Sequence, residues 1–404
     1  MKRVILFSLA VASCCASADL LEYDRPQGFK VGERLHVTPS VSFAIGYDSN
    51  VDQAYARRGD SYYSVNPAAQ FTYDGDSWTL SGGAYYHYSH YKRFNGNLKS
   101  SGYGQNLAFN WSSDDNEDGR GWTLSLTENF SYVPQNDDFT DRDGKGIWRD
   151  RQQFNFAGAL AHNFTKELHA DIGATAHYLK YVNQEDTYAP LWGWGSWGAS
   201  ANIGYTFGKW TDLNVSANYS RFRSDNDDRG TADSWSFMGG IGTRASEKIS
   251  YRIMGGMTRY EAGEGRRACG FTYSISGSWK MNDTWTMMLL ASSYYHPGER
   301  DVDTTTRNDS ISWGIAHTMI RGRLNATFDV AYQRSKNECF DELDTDNYAE
   351  DLLTARFGLS YTVNRYLSLF ANISGQNNST HGHGDGELYD FKRWRCMAGA
   401  SITY

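Results

Sequence analysis

The sequence predicts an all-β protein, a closed antiparallel transmembrane β-barrel of about 18 strands. Three observations predict it: a secretion signal at the N-terminus, apolar residues at every second position, and connections that alternate between short and long. Of the 404 residues, 15% are aromatic and only 6 are proline. This composition excludes a disordered chain, which is poor in aromatic residues.

The N-terminus has the three parts of a secretory signal peptide. Lys2 and Arg3 precede a short apolar stretch, and Ala16-Ser17-Ala18 matches the small-x-small site of signal peptidase. The apolar stretch is much shorter than the ~20 residues of a membrane-spanning helix. A lipoprotein box that ends at Cys14 is the alternative, with a lipid on that cysteine, and cleavage after Ala18 is the preferred interpretation.

We therefore divide the chain into a signal peptide at 1–18, a short periplasmic N-terminal segment at 19–35 and an outer-membrane barrel at 36–404. Cleavage removes Lys2 and Arg3 and so takes the formal net charge from −8 to −10. The acidic chain has no basic stripe, which argues against nucleic acid as a partner. The three cysteines left have no metal-type spacing, and no cofactor is expected.

Strand-like alternation runs from about residue 36 to the C-terminus. The first stretch, from Val37 to Tyr47, places apolar side chains on one face and Thr, Ser, Ala and Gly on the other. Further stretches start at Trp122, Leu168, Trp197, Leu213, Phe271, Leu324 and Leu353. Counting them gives about eighteen strands of roughly ten to fourteen residues, long enough to cross a bilayer at a tilt.

The connections between these strands alternate in length. Short ones lie at 75–77, 165–167, 282–283 and 364–365, and long polar ones at 48–60, 134–150, 297–308, 335–348 and 378–389. Short periplasmic turns and long external loops are the outer-membrane arrangement. A secreted β-sandwich array also alternates, but soluble strands are shorter and lack this rhythm of loop lengths.

Aromatic residues are expected to form two girdles where the barrel crosses the membrane surfaces. The periplasmic girdle would consist of Trp78, Trp111, Trp122, Trp279 and Trp285. The outer girdle would draw on Tyr47, Tyr88, Tyr132, Tyr178, Tyr219, Tyr295 and Tyr332. We therefore expect the cell outer membrane as the location, with outer-membrane lipid and lipopolysaccharide as partners.

The last stretch is apolar at every second position from Cys396 and ends on Tyr404. It resembles the C-terminal signal by which Gram-negative barrels are assembled, so the barrel-assembly machinery is an expected partner through Tyr404. The first strand and its loop read SFAIGYDSNV, from Ser42 to Val51. This stretch resembles the Y-D-x-N opening of outer-membrane β-barrel porins encoded beside exopolysaccharide production systems.

That resemblance implies a pore for a hydrophilic solute or polysaccharide and supplies no residue-level mechanism.

Two residues depart from the regular strand pattern. Pro67, in the middle of the second strand, departs from a regular ladder and predicts a bulge. Glu128 falls on the lipid-facing side, where charge is costly, which predicts either a slip of register or a subunit contact. A homo-oligomer is left open.

With the aromatic side facing lipid, eight charged or titratable residues are expected to line the pore. They are Arg252, Arg356, Arg393, Arg395, Asp171, Asp329, His169 and His177. Arg356, Arg393 and Arg395 fall at similar heights on nearby strands and would form an electropositive patch that guides anionic solutes. The alternative is that these arginines are paired with acids across the channel.

The expected function is a porin-like channel for passive diffusion or export of hydrophilic solutes, with carbohydrate or exopolysaccharide as the candidate cargo. Two alternatives are an outer-membrane hydrolase and a non-conducting surface or adhesion barrel.

His169 and Asp171 share one face at the spacing of a general base and its partner. They lie near a short turn, so no enzymatic activity is predicted. The loop run from His381 to Glu387 resembles a loose metal-binding cluster, but a Gly-rich flexible loop holds ligands poorly, so no metal site is predicted.

Overall fold

The computed structural model of the chain describes thirteen segments, and the predicted signal peptide lies outside them. The described residues are 28–51, 58–93, 101–113, 121–140, 146–182, 193–208, 211–225, 230–243, 248–262, 267–297, 304–339, 348–382 and 390–404. Within these segments, no helix has the length and apolar character needed to cross a bilayer.

Nineteen β-strands account for the regular structure of these segments. They are β1 (Phe29–Val31), β2 (Leu35–Asp48), β3 (Asp60–Asp74), β4 (Trp78–Tyr91), β5 (Ser101–Ser112), β6 (Gly121–Thr140), β7 (Gly146–Asn163), β8 (Leu168–Val182), β9 (Trp194–Phe207), β10 (Thr211–Ser224), β11 (Thr231–Thr243), β12 (Ile249–Ala262), β13 (Arg267–Lys280), β14 (Trp285–Pro297), β15 (Thr304–Met319), β16 (Leu324–Cys339), β17 (Tyr348–Thr362), β18 (Leu367–Gly382) and β19 (Phe391–Thr403).

Strands β2 to β19 form one closed antiparallel barrel of 18 strands. Each strand pairs with its neighbours in the chain, and β19 pairs with β2 from Arg395 opposite Asp48 to Thr403 opposite Ser40. The short β1 adds to the turn end of β2, with Phe29 opposite Val37. Closure leaves no long sheet edge in the hydrocarbon, where unpaired backbone groups would find no hydrogen-bond partner. The predicted fold class is confirmed.

The strands extend further than the hydrophobic alternation indicated. The barrel strands range from 12 residues in β5 to 20 residues in β6. The prediction of a loop at 134–150 is therefore wrong, because β6 continues to Thr140 and β7 begins at Gly146. Predicted loop 48–60 is also too long at both ends, since Asp48 and Asp60 are a cross-strand pair. The ladder continues with polar residues beyond the apolar band, where periodicity in hydrophobicity no longer marks a strand.

The outer surface carries an apolar band. Large side chains such as Ile45, Phe207 and Val215 are 71%, 68% and 66% exposed, and they belong to the apolar phase of their strands. Toward the short turns, Trp122 and Trp279 are also exposed. A band of this extent around a closed barrel is explained by contact with lipid acyl chains. The fold therefore places the protein in an outer membrane.

Tyr295 departs from the predicted outer girdle. It is 9% exposed and packs with buried Phe222 and Tyr260 instead of facing lipid. The cause is a shortened ladder: β13 and β14 are paired only from Tyr273 opposite Ser293 toward their turn. Beyond that pair, β14 stays paired with β15 but leaves β13, so Tyr295 packs against residues of β10 to β12. The prediction for Tyr295 is wrong.

Pro67 does not produce the bulge predicted for it. The β3–β4 ladder lacks pairs at Asn66 and Pro67, but the register of the pairs on either side is the same. Pro67 has no N–H to donate, so the ladder is interrupted without being shifted. The Asn66 side-chain oxygen instead bonds Nδ1 of His87, directly opposite.

Glu128 keeps the outward phase of β6, between Leu107 of β5 and Phe156 of β7. No slip of register therefore accounts for this carboxylate on the lipid side. Gln105, opposite Phe130 on β5, shares that outward phase. Glu128 and Gln105 are therefore two neighbouring polar side chains within the apolar band of the outer surface.

Candidate pore lining and barrel seam

The inner face of the barrel is polar and differs between its two ends. In the middle of the barrel and toward the short turns, inward side chains such as Asn106, Thr175, Arg252 and Ser274 are exposed. Toward the long loops, inward side chains are mostly buried. That buried group includes Val51, Tyr62, Leu179, Tyr181, Phe222, Tyr260, Leu352, Asn378 and Phe391. The interior is therefore open from the turn end and packed near the loop end.

Among the ion pairs of the described residues, the most deeply buried carboxylate lies at the seam between the first and last barrel strands. Asp48 is completely buried. Its Oδ1 and Oδ2 accept from Nε of Arg393 at 2.9 and 3.0 Å, and Nη2 of Arg393 also donates to Oδ2. Arg395 donates to the same Oδ2 from Nη2 at 2.9 Å and from Nε at 3.2 Å. One carboxylate thus holds two guanidinium groups of the neighbouring strand.

The rest of the Y-D-S-N motif also contacts the last strand. Outside the barrel, the rings of Tyr47 and Trp394 lie 5.0 Å apart. Ser49 exchanges two hydrogen bonds with Trp394, donating its N–H to the Trp394 carbonyl and accepting the Trp394 N–H at its hydroxyl. Asn50 donates from Nδ2 to the Lys392 carbonyl at 3.3 Å. The motif therefore holds the end of the first barrel strand against the last strand, where the barrel closes.

Four of the predicted pore residues lie close together on β16 to β19. Asp48 is opposite Arg395, Arg395 is opposite Ser374, Ser374 is opposite Arg356, and Arg356 is opposite Asp329. Arg393 lies two residues nearer the loop end of β19. The three guanidinium groups face two carboxylates, so the net charge is one positive charge. Most of the expected electropositive patch is thus compensated locally.

The remaining predicted residues are elsewhere around the barrel. On β8, Asp171 accepts from Nδ2 of Asn202 at 2.8 Å, and His169 lies against Gly204. A Cβ at Gly204 would overlap Nε2 of His169, so any side chain at this position would require the imidazole to move. Arg252, on β12, is exposed and opposite Gly242. The structure does not bring these groups together with the arginines of β17 and β19.

His177 belongs to a recurring pair of side chains. Its Nδ1 bonds Oδ1 of Asn155, the residue directly opposite on β7, and its ring lies 4.5 Å from that of Trp194. The same His–Asn arrangement joins His87 and Asn66 across β3 and β4. These contacts orient the imidazole rings on the inner wall, and nothing about them requires a metal or a substrate.

Asp48 is the residue of the seam that the sequence analysis missed. We assigned it to a loop because the apolar alternation ends at Tyr47. The signal that identifies it is its phase, since Asp48 continues the inward series of Ala44 and Gly46. Because a closed barrel brings the first strand beside the last, an inward acid at one end and inward arginines at the other predict a pair.

No group of three or more His, Cys, Asp or Glu residues with metal-binding geometry occurs in the described segments. His381, at the start of the Gly-rich run, lies with Nε2 3.2 Å from Oδ2 of Asp351. Residues 383–387 of that run lie outside the described residues.

A closed antiparallel barrel with an apolar outer band, a polar inner face and alternating turn and loop lengths defines an outer-membrane β-barrel protein. No family model matches the chain. No curated protein matches it either. Solved structures resemble the barrel at low identity.

One is the FrpB iron transporter from Neisseria meningitidis (F3-3 variant), with 11% identity and a TM-score of 0.48 over 89% of this chain. Another is the siderophore receptor PirA from Pseudomonas aeruginosa, with 9% identity and a TM-score of 0.44 over 93% of this chain and 81% of that one. This chain covers 64% of FrpB, less than two thirds of its length. The likeness concerns the fold alone.

Proposed function

We propose that the protein is a porin-like outer-membrane channel for hydrophilic solutes. The observation that carries the proposal is the solvent exposure of inward polar side chains at mid-barrel, such as Asn106, Thr175 and Ser274. Exposed polar side chains on the inner wall of a barrel need water beside them. A barrel of eighteen strands has room for that water.

Selectivity in this channel would come from size more than from charge. The described acids and bases on the inward phase of the barrel strands are similar in number: Asp48, Asp60, Asp74, Asp171, Asp212, Asp329 and Glu350 against Arg151, Arg252, Lys280, Arg356, Arg393 and Arg395. The narrow part would be the loop-end half, where inward side chains pack together. Arg356, next to the pathway and beside Asp329, is the residue placed to adjust ion preference.

For the solute we propose a carbohydrate. The loop-end interior combines tyrosine rings with amides and hydroxyls, as in Tyr62, Tyr91 and Asn66. Aromatic faces and hydrogen-bonding side chains are what a sugar requires of its binding surface. The resemblance of the first strand to exopolysaccharide-associated porins favours the same solute.

Swelling of liposomes that contain the folded protein tests this proposal, with oligosaccharides of increasing length as solutes. We expect tri- to hexasaccharides to enter, and Tyr62→Ala to alter their rates relative to those of small ions. Tyr63→Ala is the matched control, since Tyr63 is adjacent in sequence but faces lipid. Permeation of salts with complete exclusion of oligosaccharides would contradict the carbohydrate assignment and leave a general channel.

A non-conducting surface barrel is the second candidate, and the packed loop-end interior is the observation that favours it. Folded protein that transmits neither ions nor sugars would support this candidate over the channel. We propose no catalytic role. Asp171 is already engaged by Asn202, and a cleavage activity abolished by His169→Ala would contradict this view.

The subunit contact that we propose lies at Glu128 and Gln105. Crosslinking in native membranes, with a photoreactive side chain at Gln105, should join two copies of the chain. The same group at lipid-facing Ile203, on β9, is the control for random collision. Equal yields at both positions would count against a contact at β5–β6.

A further inference from the structure

A groove indents the outward face of the barrel near the loop ends of β8, β9 and β10. Its volume is about 910 Å³, and the residues lining it include Tyr178, Gly195, Trp197, Arg221 and Arg223. Tyr178 and Trp197 are 40% and 53% exposed and continue the lipid-facing phase of their strands. The groove therefore opens toward the membrane and not into the channel.

Glycine forms the floor of this groove. Gly195 is directly opposite Tyr178 on one side and Arg223 on the other. Two pairs nearer the turn end, Trp197 is opposite Arg221. The wall is thus aromatic on one side and cationic on the other. This combination suits the boundary at which acyl chains give way to headgroups.

Among the described residues, three cations and two acids lie around the groove. Lys180 continues the outward phase of β8 and joins Arg221 and Arg223 of β10. Two carboxylates are nearby: Asp233, whose Oδ1 accepts the Tyr219 hydroxyl at 2.6 Å and lies 4.0 Å from Nε of Arg221, and Asp225 at the upper rim. Burial raises the pKa of Asp225, and Lys180 and Arg223 oppose that effect.

We propose that this groove binds the phosphorylated headgroup of a glycolipid of the outer leaflet, with Arg221 and Arg223 on the phosphate and Tyr178 and Trp197 beside the upper acyl chains. Guanidinium groups bind phosphate oxygens in pairs of parallel hydrogen bonds. A free anion would make no use of aromatic walls that open to lipid, so the geometry favours an amphiphile. This inference goes beyond the channel and does not depend on it.

Native mass spectrometry of the folded barrel in detergent tests the proposal, with diphosphoryl lipid A as the probe. We expect one retained lipid and a loss of apparent affinity of about tenfold in R221Q/R223Q, as for a charge-assisted bond removed. R259Q/R267Q is the matched control. Arg259 and Arg267 are outward-facing arginines near the loop ends of β12 and β13, and both contact Glu261. Equal affinity in wild type and R221Q/R223Q, or equal loss in both variants, would overturn the site.

Gly195→Leu supplies an independent variant that keeps every charge. A Cβ at Gly195 would lie 3.6 Å from Cδ2 of Tyr178 and 3.8 Å from the His177 carbonyl, so the floor accepts a Cβ in ordinary contact, and the leucine side chain beyond it would occupy the groove. We expect the variant to fold, as shown by its gel shift without boiling, and to lose lipid A. Retention of the lipid by this folded variant, or its displacement from wild type by excess inorganic phosphate, would contradict a lipid headgroup site.

Discussion

Asp48, at the end of the first barrel strand, forms a two-pronged ion pair with Arg393 of the last strand, with Nε of the arginine 2.9 and 3.0 Å from the two carboxylate oxygens. The carboxylate is fully buried, and the Arg393 side chain is almost so. Removing one partner of such a pair is costly, because the charge that remains is buried away from water and has no counter-ion. The contact joins positions 345 residues apart in the chain.

Replacing Asp48 with Asn should therefore weaken barrel closure. We expect a decrease of about 3 kcal/mol in the free energy of unfolding, because two guanidinium groups lose their counter-ion. Urea-induced unfolding in lipid vesicles, followed by tryptophan fluorescence, measures the change. Asp76→Asn is the control: Asp76 pairs with Arg34 at 2.7 Å on an exposed turn, where such a pair contributes about 0.5 kcal/mol. Equal midpoints for both variants would show that the seam is not held by this pair.

Arg356→Glu should change ion preference without loss of the fold. The substitution replaces one of three neighbouring guanidinium groups with a carboxylate, which leaves two guanidinium groups and three carboxylates. The reversal potential in a salt gradient should therefore move toward that of a cation-selective pore. Lys166→Glu, on an exposed turn, carries the same charge change outside the pore and should have little effect. Unchanged selectivity in Arg356→Glu would remove this residue from the conduction pathway.

Arg393→Glu should behave differently from Arg356→Glu, although both make the same charge change. A second carboxylate would be placed against buried Asp48 at the seam. We expect a loss of stability at least as large as that of Asp48→Asn, about 3 kcal/mol or more. Unfolding midpoints of the two arginine variants, measured side by side, check this difference. A stable Arg393→Glu barrel would contradict the structural role of the pair.

Ile320→Asn should stabilise the turn between β15 and β16. Ile320 and Arg321 both have φ of 52°, the left-handed region that is unfavourable for a β-branched side chain. Asn tolerates that conformation, and the gain in the free energy of unfolding should be about 1 kcal/mol. Ile320→Val, which keeps the branch at Cβ, should give no gain. A midpoint no higher for Asn than for Val would mean that the turn is not strained.

Tyr295→Ala should widen the loop-end half of the interior. Tyr295 packs with Phe222, Ala232, Tyr260 and Ala262, and removing its ring leaves space among them. We expect higher single-channel conductance, accompanied by a loss of about 3 kcal/mol of stability from the cavity. Tyr332→Ala removes an outward ring and should leave the conductance unchanged. Equal conductance in the two variants would show that the Tyr295 cluster does not narrow the channel.

Local pattern was sufficient to predict the barrel and its strand number. The alternation from Val37 to Tyr47 and the short turns such as 165–167 depend only on near neighbours, and the structure shows the strands and turns there. Strand ends were predicted less well, because polar ladders continue beyond the apolar band. The three-residue β1 was missed because it is too short to have a period.

Contacts that depend on closure or on a break in pairing were not predictable in the same way. Asp48 meets Arg393 only because the last strand returns to the first, and Tyr295 leaves the lipid face only because β14 separates from β13 beyond Ser293. Neither event has a local signature in hydrophobicity. The inward phase of Asp48 is the one feature of the sequence that would have identified its partner.

Single-channel recording of the folded barrel in planar lipid bilayers tests most directly whether its wet interior connects the two sides of the membrane. We predict long-lived openings of uniform size whose conductance rises with salt concentration. Insertion of heat-modifiable protein that gives no current above the bare bilayer would contradict the channel and favour a closed barrel.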